Sequence, residues 1–347
     1  MTLKYGFARL PVGGAKAGIV ASLDIPSDER RALLRSFGIA LRPYLERSVY
    51  VPGEDMGSSA EDIEELMRAA GMRPLPRSLI YAASGYYTGV GVCASTLAAA
   101  HHIGIQPTEL RVVVEGFGAV GASAAAALHD HGVRVVAIST SRGGLHRAEG
   151  LDIPRLLELK KTLGNDVVNQ PDMGESIPRE RLSSILCDAF VPCAIMHSIS
   201  MQQVPGFKAR LLVPGANVPC TADAERVLTE RGVIVVPDFV SNCGGVLGSS
   251  MSRAGLPEAE VASVVARRVR EEVATMLSDA AASDRTPRAV ATERSTERFT
   301  IAKDGFERPS ILGRIFRFGV GLHRRGLVPR PLMAPAARWY FDRRWNR

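Results

Sequence analysis

Three short stretches carry residue types at spacings that suit chemistry. Gly116-Phe117-Gly118-Ala119-Val120-Gly121 is a GxGxxG pattern that follows the apolar run Arg111–Glu115 and opens an alanine-rich stretch reaching Asp130. Between a strand and a helix, each glycine has its own task. The first permits a tight turn, the second lets backbone approach a pyrophosphate, and the third lets the helix pack closely on the strand. The opening amides of that helix then face the phosphates. Lys16 lies among small residues in Leu10-Pro11-Val12-Gly13-Gly14-Ala15-Lys16-Ala17-Gly18. Such a lysine is open to desolvation, which lowers its pKa and fits it for acid–base work at a carbonyl, and a solvated loop lysine is the plainer alternative. Asp55 follows the Pro52-Gly53 turn, where it reads either as a proton carrier or as an ordinary turn aspartate.

At the end of the next strand, an acid would favour NAD by accepting from the adenine ribose. This chain has Ser139-Thr140-Ser141-Arg142 there, with no carboxylate. Hydroxyls beside Arg142 tolerate a 2′-phosphate, so NAD and NADP both stay open.

The elements that must position these residues alternate. Strands are predicted at Arg111–Glu115, 133–138, Ala189–Pro192, 210–214 and 233–236, with helices between them. That grammar predicts an α/β fold, a Rossmann-type doubly wound parallel sheet, with a second α/β domain before it. In that first part, apolar spacing predicts helices over 28–44 and 59–70, the second capped by Ser58 or Ser59, and a short strand at 49–51. A long helix is predicted over 258–281. The division that follows is a first domain at 1–82, a dinucleotide-binding domain at 83–245, a helix at 246–282, a linker at 283–307 and a basic tail at 308–347.

The chain has 347 residues, 46% of them hydrophobic and 23% charged, which is the balance of a globular protein. Its net charge of +7 is local: residues 308–347 hold ten arginines against one acid, and the rest holds 33 basic and 35 acidic side chains. The core therefore carries no nucleic-acid signature. Five single cysteines without a CxxC pair argue against a disulfide framework or a zinc site. No apolar run is long enough to span a bilayer, and Lys4 and Arg9 interrupt any leader-like stretch, so a cytoplasmic setting is expected. In the tail, Ile311, Leu312, Ile315, Phe316, Phe318 and Leu322 alternate with arginines as in a basic amphipathic helix. Packing on the chain's own body or an oligomer partner is favoured there over contact with a membrane or RNA.

Taken in order, "LPVGGAKAG", "VPGEDMGSSAED", "VEGFGAVG", "PGANVPCTADA" and "VVPDFVSNCGGVLGSS" resemble the glutamate/leucine/phenylalanine/valine dehydrogenase family, with wording closest to the glutamate branch. The resemblance implies NAD(P)-dependent oxidative deamination of an L-amino acid, glutamate foremost, to a 2-oxo acid and ammonia. It implies that Lys16 polarises the substrate carbonyl and its water, and that Asp55 shuttles the proton of the imino nitrogen. By the same resemblance Lys4 binds the substrate carboxylate, Ser249 its side-chain carboxylate, Asn217 lies near the nicotinamide, Thr88 is the threonine of a cofactor-binding TG element, and residues 1–82 are a truncated α/β substrate/dimerisation domain. A homo-oligomer is also implied.

The match has departures. It begins at the family's mid-domain, so the segment with the family's KGGxR motif either lies upstream or is missing in a reduced paralogue. Glu54 precedes Asp55 and would raise at least one pKa of the pair. Pro214 and His197 stand where the family usually has a carboxylate and an asparagine, and Ser84 where it often has an arginine. A second reading follows from these changes: a dinucleotide-binding paralogue with impaired turnover and a regulatory or assembly role.

Overall fold

The computed structural model describes residues 1–345 except 16, 23, 48, 54–56, 73–83 and 325. At its centre is a seven-stranded sheet of β1 (Arg111–Glu115), β2 (Arg134–Thr140), β3 (Gly143–His146), β4 (Glu175–Ile177), β5 (Ala189–Pro192), β6 (Leu211–Leu212) and β7 (Ile234–Val235). The order across it is β4-β3-β2-β1-β5-β6-β7. β1 pairs in parallel with β2 and with β5, so Val113 sits opposite Ala137 on one side and Phe190 on the other. β6 and β7 extend the parallel part. Continuous apolar runs such as Val112–Val114 suit strands covered on both faces, and all three valines are fully buried. On one side the sheet ends in β3 and β4, where β3 pairs antiparallel with both β2 and β4, which the expected all-parallel sheet did not include.

The order in which strands are added reverses between β1 and β5, and a crevice opens there beyond the carboxyl ends of the strands. Helix α1 (Thr2–Phe7) is followed by α2 (Ser27–Glu46) and α3 (Ala60–Ala69), which pack on each other, and by α4 (Ser84–His102), the buried helix that backs the sheet. Next come α5 (Ala119–Asp130) after β1, α6 (Ile153–Leu163) after β3, and α7 (Ala222–Glu230) after β6. After β7 the chain is helical: α8 (Asp238–Ser241), α9 (Gly244–Arg253), α10 (Glu258–Ala282), α11 (Pro287–Glu307), α12 (Ile311–Arg324) and α13 (Arg330–Trp345).

Several expectations are corrected. Residues 283–307, read as a linker, contain α11, started by Thr286, whose hydroxyl accepts from the Ala289 amide, and by Pro287 in the first turn. The boundary drawn after Gly245 falls inside α9. Residues 49–51 form no strand: Val49 and Val51 are exposed, and a β-branched run without a neighbouring strand has nothing to pair with. The helix at α3 starts as read, with a capping box in which Ser59 and Asp62 satisfy each other's backbone amides.

The basic tail folds back on the body. Phe316, Met333, Ala337 and Phe341 are buried, and Phe316 stacks on Tyr340 at 4.0 Å. Arg338 grips Glu260 of α10, with Nη2 donating at 2.7 Å. No helix among the described residues is long and apolar enough to cross a membrane.

Candidate active site and dinucleotide cleft

The glycine turn links β1 to α5, and its three glycines do three different things. Gly116 has φ +88, and a Cβ there would lie 2.8 Å from the Ala194 backbone. Gly121 lets α5 approach the strand, since a Cβ would lie 1.9 Å from the Gly116 carbonyl oxygen. Gly118, the N-cap of α5, has nothing within 4 Å of where a Cβ would be. Two of the glycines are thus required by packing, and the third faces open space. The amides of Ala119, Val120 and Gly121 open α5, and the first turn of any helix has no carbonyl behind its amides. An anion is the natural partner there.

A cleft of about 360 Å³ lies against this turn and is walled by Gly116, Phe117, Gly118, Ser139, Thr140 and Ser141. The bracing of the turn went unread in the sequence. Ser139 Oγ accepts from the Gly116 amide at 2.9 Å and the Ser139 carbonyl from the Phe117 amide at 2.6 Å. Lys160 of α6 donates to the Phe117 carbonyl and stands 5.2 Å from the Phe117 ring, and burial lowers its pKa. Thr140 spends its hydroxyl on the fold: Oγ1 donates to the Asn165 carbonyl at 2.7 Å and accepts from the Arg142 amide at 3.1 Å. Arg142 lies 3.6 Å from Asp166, and the arginine on the wall of the cleft is Arg179. Glu115, just before the turn, accepts from Ser198 Oγ at 2.7 Å, and burial pushes its carboxyl above the ordinary range. These groups fit a dinucleotide: a cradle with no side chain at its centre, free helix amides, and one arginine beside hydroxyls where the ribose falls.

A second cluster forms where α1 meets the loop after β6. Lys4, on buried α1, donates through Nζ to Asn217 Oδ1 at 2.9 Å. Asn242 Nδ2 donates to the same oxygen at 3.0 Å and to the Ala216 carbonyl at 3.1 Å. With Oδ1 held from two sides, the Asn217 amide has a fixed orientation. Its loop is fixed as well: the Val218 amide donates to Asp238 Oδ2 at 3.1 Å. Arg288, from the helix first read as linker, donates to Glu225 at 2.8 Å and to Asp238 at 3.3 Å. The clusters meet through Gly215, where a Cβ would come 3.1 Å from Val120 of the glycine turn.

The remaining candidates are placed as follows. Ser249 is buried in α9. Thr88 is buried in α4, where Oγ1 donates to the Ser84 carbonyl at 2.7 Å beneath Gly245 of α9. It does not line the cleft. Lys16 and Asp55 lie outside the described residues, as does Glu54. Gly14, two positions before Lys16, donates its amide to Thr2 Oγ1 at 3.2 Å on the helix that carries Lys4.

A sheet with a glycine cradle at its switch point, and a fixed lysine–asparagine pair beside it, defines a dinucleotide-binding α/β protein. The chain belongs to the glutamate/leucine/phenylalanine/valine dehydrogenase family, whose pattern matches residues 82–303, preceded by the family's dimerisation domain at 1–72. It is 33% identical over 264 residues to the NADP-specific glutamate dehydrogenase of Saccharolobus shibatae, covering 72% of this chain and 61% of the relative. It is 32% identical to the catabolic NAD-specific glutamate dehydrogenase of Bacillus subtilis, over 71% of this chain and 60% of that one. The chain thus spans about three fifths of these relatives' length. Among solved structures, the hetero-hexameric glutamate dehydrogenase of Thermus thermophilus in its leucine-bound form aligns with a TM-score of 0.73 at 26% identity. That alignment covers 87% of this chain and 76% of the other.

Proposed function

We propose that the chain is an NAD(P)-dependent dehydrogenase that oxidatively deaminates an L-amino acid, glutamate foremost, to the 2-oxo acid and ammonia. The observation that carries this reading is the Lys4–Asn217 hydrogen bond, which joins the proposed carboxylate-binding lysine to the proposed nicotinamide-side asparagine across 213 positions of sequence. When bound, a nicotinamide dinucleotide supplies the two-electron acceptor. Gly116, Phe117, Gly118, Ala119, Val120 and Gly121 would hold its pyrophosphate by backbone, with Thr140 on the ribose side and Asn217 on the nicotinamide side, and Thr88 would support the site from α4.

The chain's own residues do the rest. Lys4 anchors the α-carboxylate and Ser249 the distal one, which orients the Cα–H bond for hydride loss. Asp55 accepts the proton leaving the amino nitrogen, so that an imine forms. Lys16 polarises the carbon that water attacks, and Asp55 returns a proton to the departing ammonia. Both dinucleotides suit the cleft, since its ribose side has hydroxyls and Arg179 in place of the NAD-selecting acid. A cytoplasmic homo-oligomer completes the proposal, and the five free cysteines suit a reducing compartment.

The test is amino-acid-dependent formation of NADH or NADPH by the purified chain. Glutamate should support it, and Lys16→Ala should abolish it while leaving dinucleotide affinity intact. Dinucleotide binding with no reduction on any L-amino acid would overturn the enzyme reading and leave a binding protein.

A further inference from the structure

A second concavity, of about 310 Å³, lies far along the chain from the glycine turn, where α11, α12 and α13 meet the residues just after α1. Five guanidiniums line it: Arg9, Arg298, Arg317, Arg343 and Arg344. Among the described residues, only Arg9 and Arg298 of these have a carboxylate partner, and they share one, Glu272, at 3.5 and 2.8 Å. Glu297 is the one acid on the wall itself.

The other heads are held without counter-charge. Arg317 donates to the Phe306 carbonyl at 3.2 Å and covers the Phe306 ring at 4.5 Å. Arg344 donates to the Ala302 carbonyl at 3.4 Å and covers Tyr340 at 5.2 Å, and Arg343 covers Trp339 at 5.4 Å. Arg9 Nε and Arg344 Nη1 are buried and meet no hydrogen-bond acceptor among the described residues. Desolvation, and then the neighbouring guanidiniums, lower the pKa of both Arg9 and Arg344. Buried donors without acceptors and like charges drawn together both cost free energy, and an anion relieves both.

We propose that this pocket is a second anion site and takes a small molecule bearing a phosphate or pyrophosphate group. A dianion with several acceptor oxygens matches converging guanidinium forks, whereas a single carboxylate would leave most of them unpaired. The size is that of a small-ligand site. The ring faces are already covered by guanidiniums, so recognition is by charge and hydrogen bonding rather than by stacking. The family match ends at residue 303, and much of the wall, from Phe306 to Arg344, lies beyond it.

The chain reports on the site itself, because its only two tryptophans, Trp339 and Trp345, both lie on α13. Inorganic pyrophosphate is titrated into the full chain and into its Gly118→Ala variant, and tryptophan emission is followed. The expected result is a saturable change at one equivalent per chain. Arg317→Ala and Arg343→Ala each raise its Kd at least tenfold, and Arg343→Lys raises it less. Absence of a saturable change in the unmodified chain overturns the proposal. So does a change whose Kd rises about tenfold with Gly118→Ala, which would assign it to the glycine cleft, one that both Arg317→Ala and Arg343→Ala preserve, or one that appears only with vesicles containing phosphatidic acid, which would assign the arginines to a membrane surface.

Discussion

The dinucleotide half and the α2–α3 pair are built on different scales. The glycine turn rests on a core that runs through α1, α4, the sheet and α10, with Val112, Val114, Leu128 and Val265 wholly buried. The α2–α3 pair has its own small core of Leu45, Ile63, Leu66, Met67 and Ala70. Close approach at Gly38, where a Cβ would lie 2.3 Å from the Leu66 carbonyl oxygen, holds the two helices together. Partly exposed ion pairs such as Arg30–Asp62 and Arg35–Glu65 add little. The cleft should therefore be the more stable region, and its geometry should not depend on the pair.

The sharpest way to break this comparison is Gly121→Val. Its side chain collides with the Gly116 carbonyl, and dinucleotide binding by calorimetry should vanish along with a large fall in Tm. Gly118→Ala is its counterpart: open space keeps the fold and its Tm, yet the methyl intrudes where phosphate approaches, so affinity should fall about tenfold, or about 1.4 kcal/mol. Leu66→Ala comes next. It should cost the helical pair about 2–5 kcal/mol, seen as faster amide exchange in α2 and α3, with dinucleotide affinity unchanged. A loss of affinity there would show that the two regions are coupled after all.

Smaller effects sharpen the picture within the site. Arg288→Ala strips Glu225 and Asp238 of their shared partner and should lower stability by about 1–3 kcal/mol in thermal melts. Glu115→Gln should act most weakly and through pH. Burial raises the Glu115 pKa in the fold, so over the window from its unfolded to its folded value the native state binds more protons, and stability falls as pH rises. Glutamine should flatten that slope in melts collected across the window; an unchanged slope would place the dependence elsewhere.

The glycine turn could be read from sequence because each glycine answers a local demand. Its supports could not: Ser139 and Lys160 reach it only after β2 and α6 fold. α11 escaped notice because its apolar residues form no regular stripe. It is held by charge instead, through Arg288 on Glu225, Arg294 on Asp279 and Arg298 on Glu272. β3 and β4 were hidden for another reason, since the Gly143-Gly144 start of β3 reads as a turn until β2 and β4 flank it. Residues 49–51 show the converse, strand propensity without a strand partner.

α1 lies against α11, with the carbonyl of Ser295 so close to Gly6 that a Cβ there would sit 2.1 Å away. During synthesis, then, α1 must wait for a segment made nearly three hundred residues later before it can dock. Contacts of such long separation are slow to close and leave earlier surfaces uncovered meanwhile. Because Lys4 rides on that same helix, the lysine–asparagine pair is among the last features to assemble, and a nascent chain stopped short of α11 would have the phosphate cradle before it had that pair.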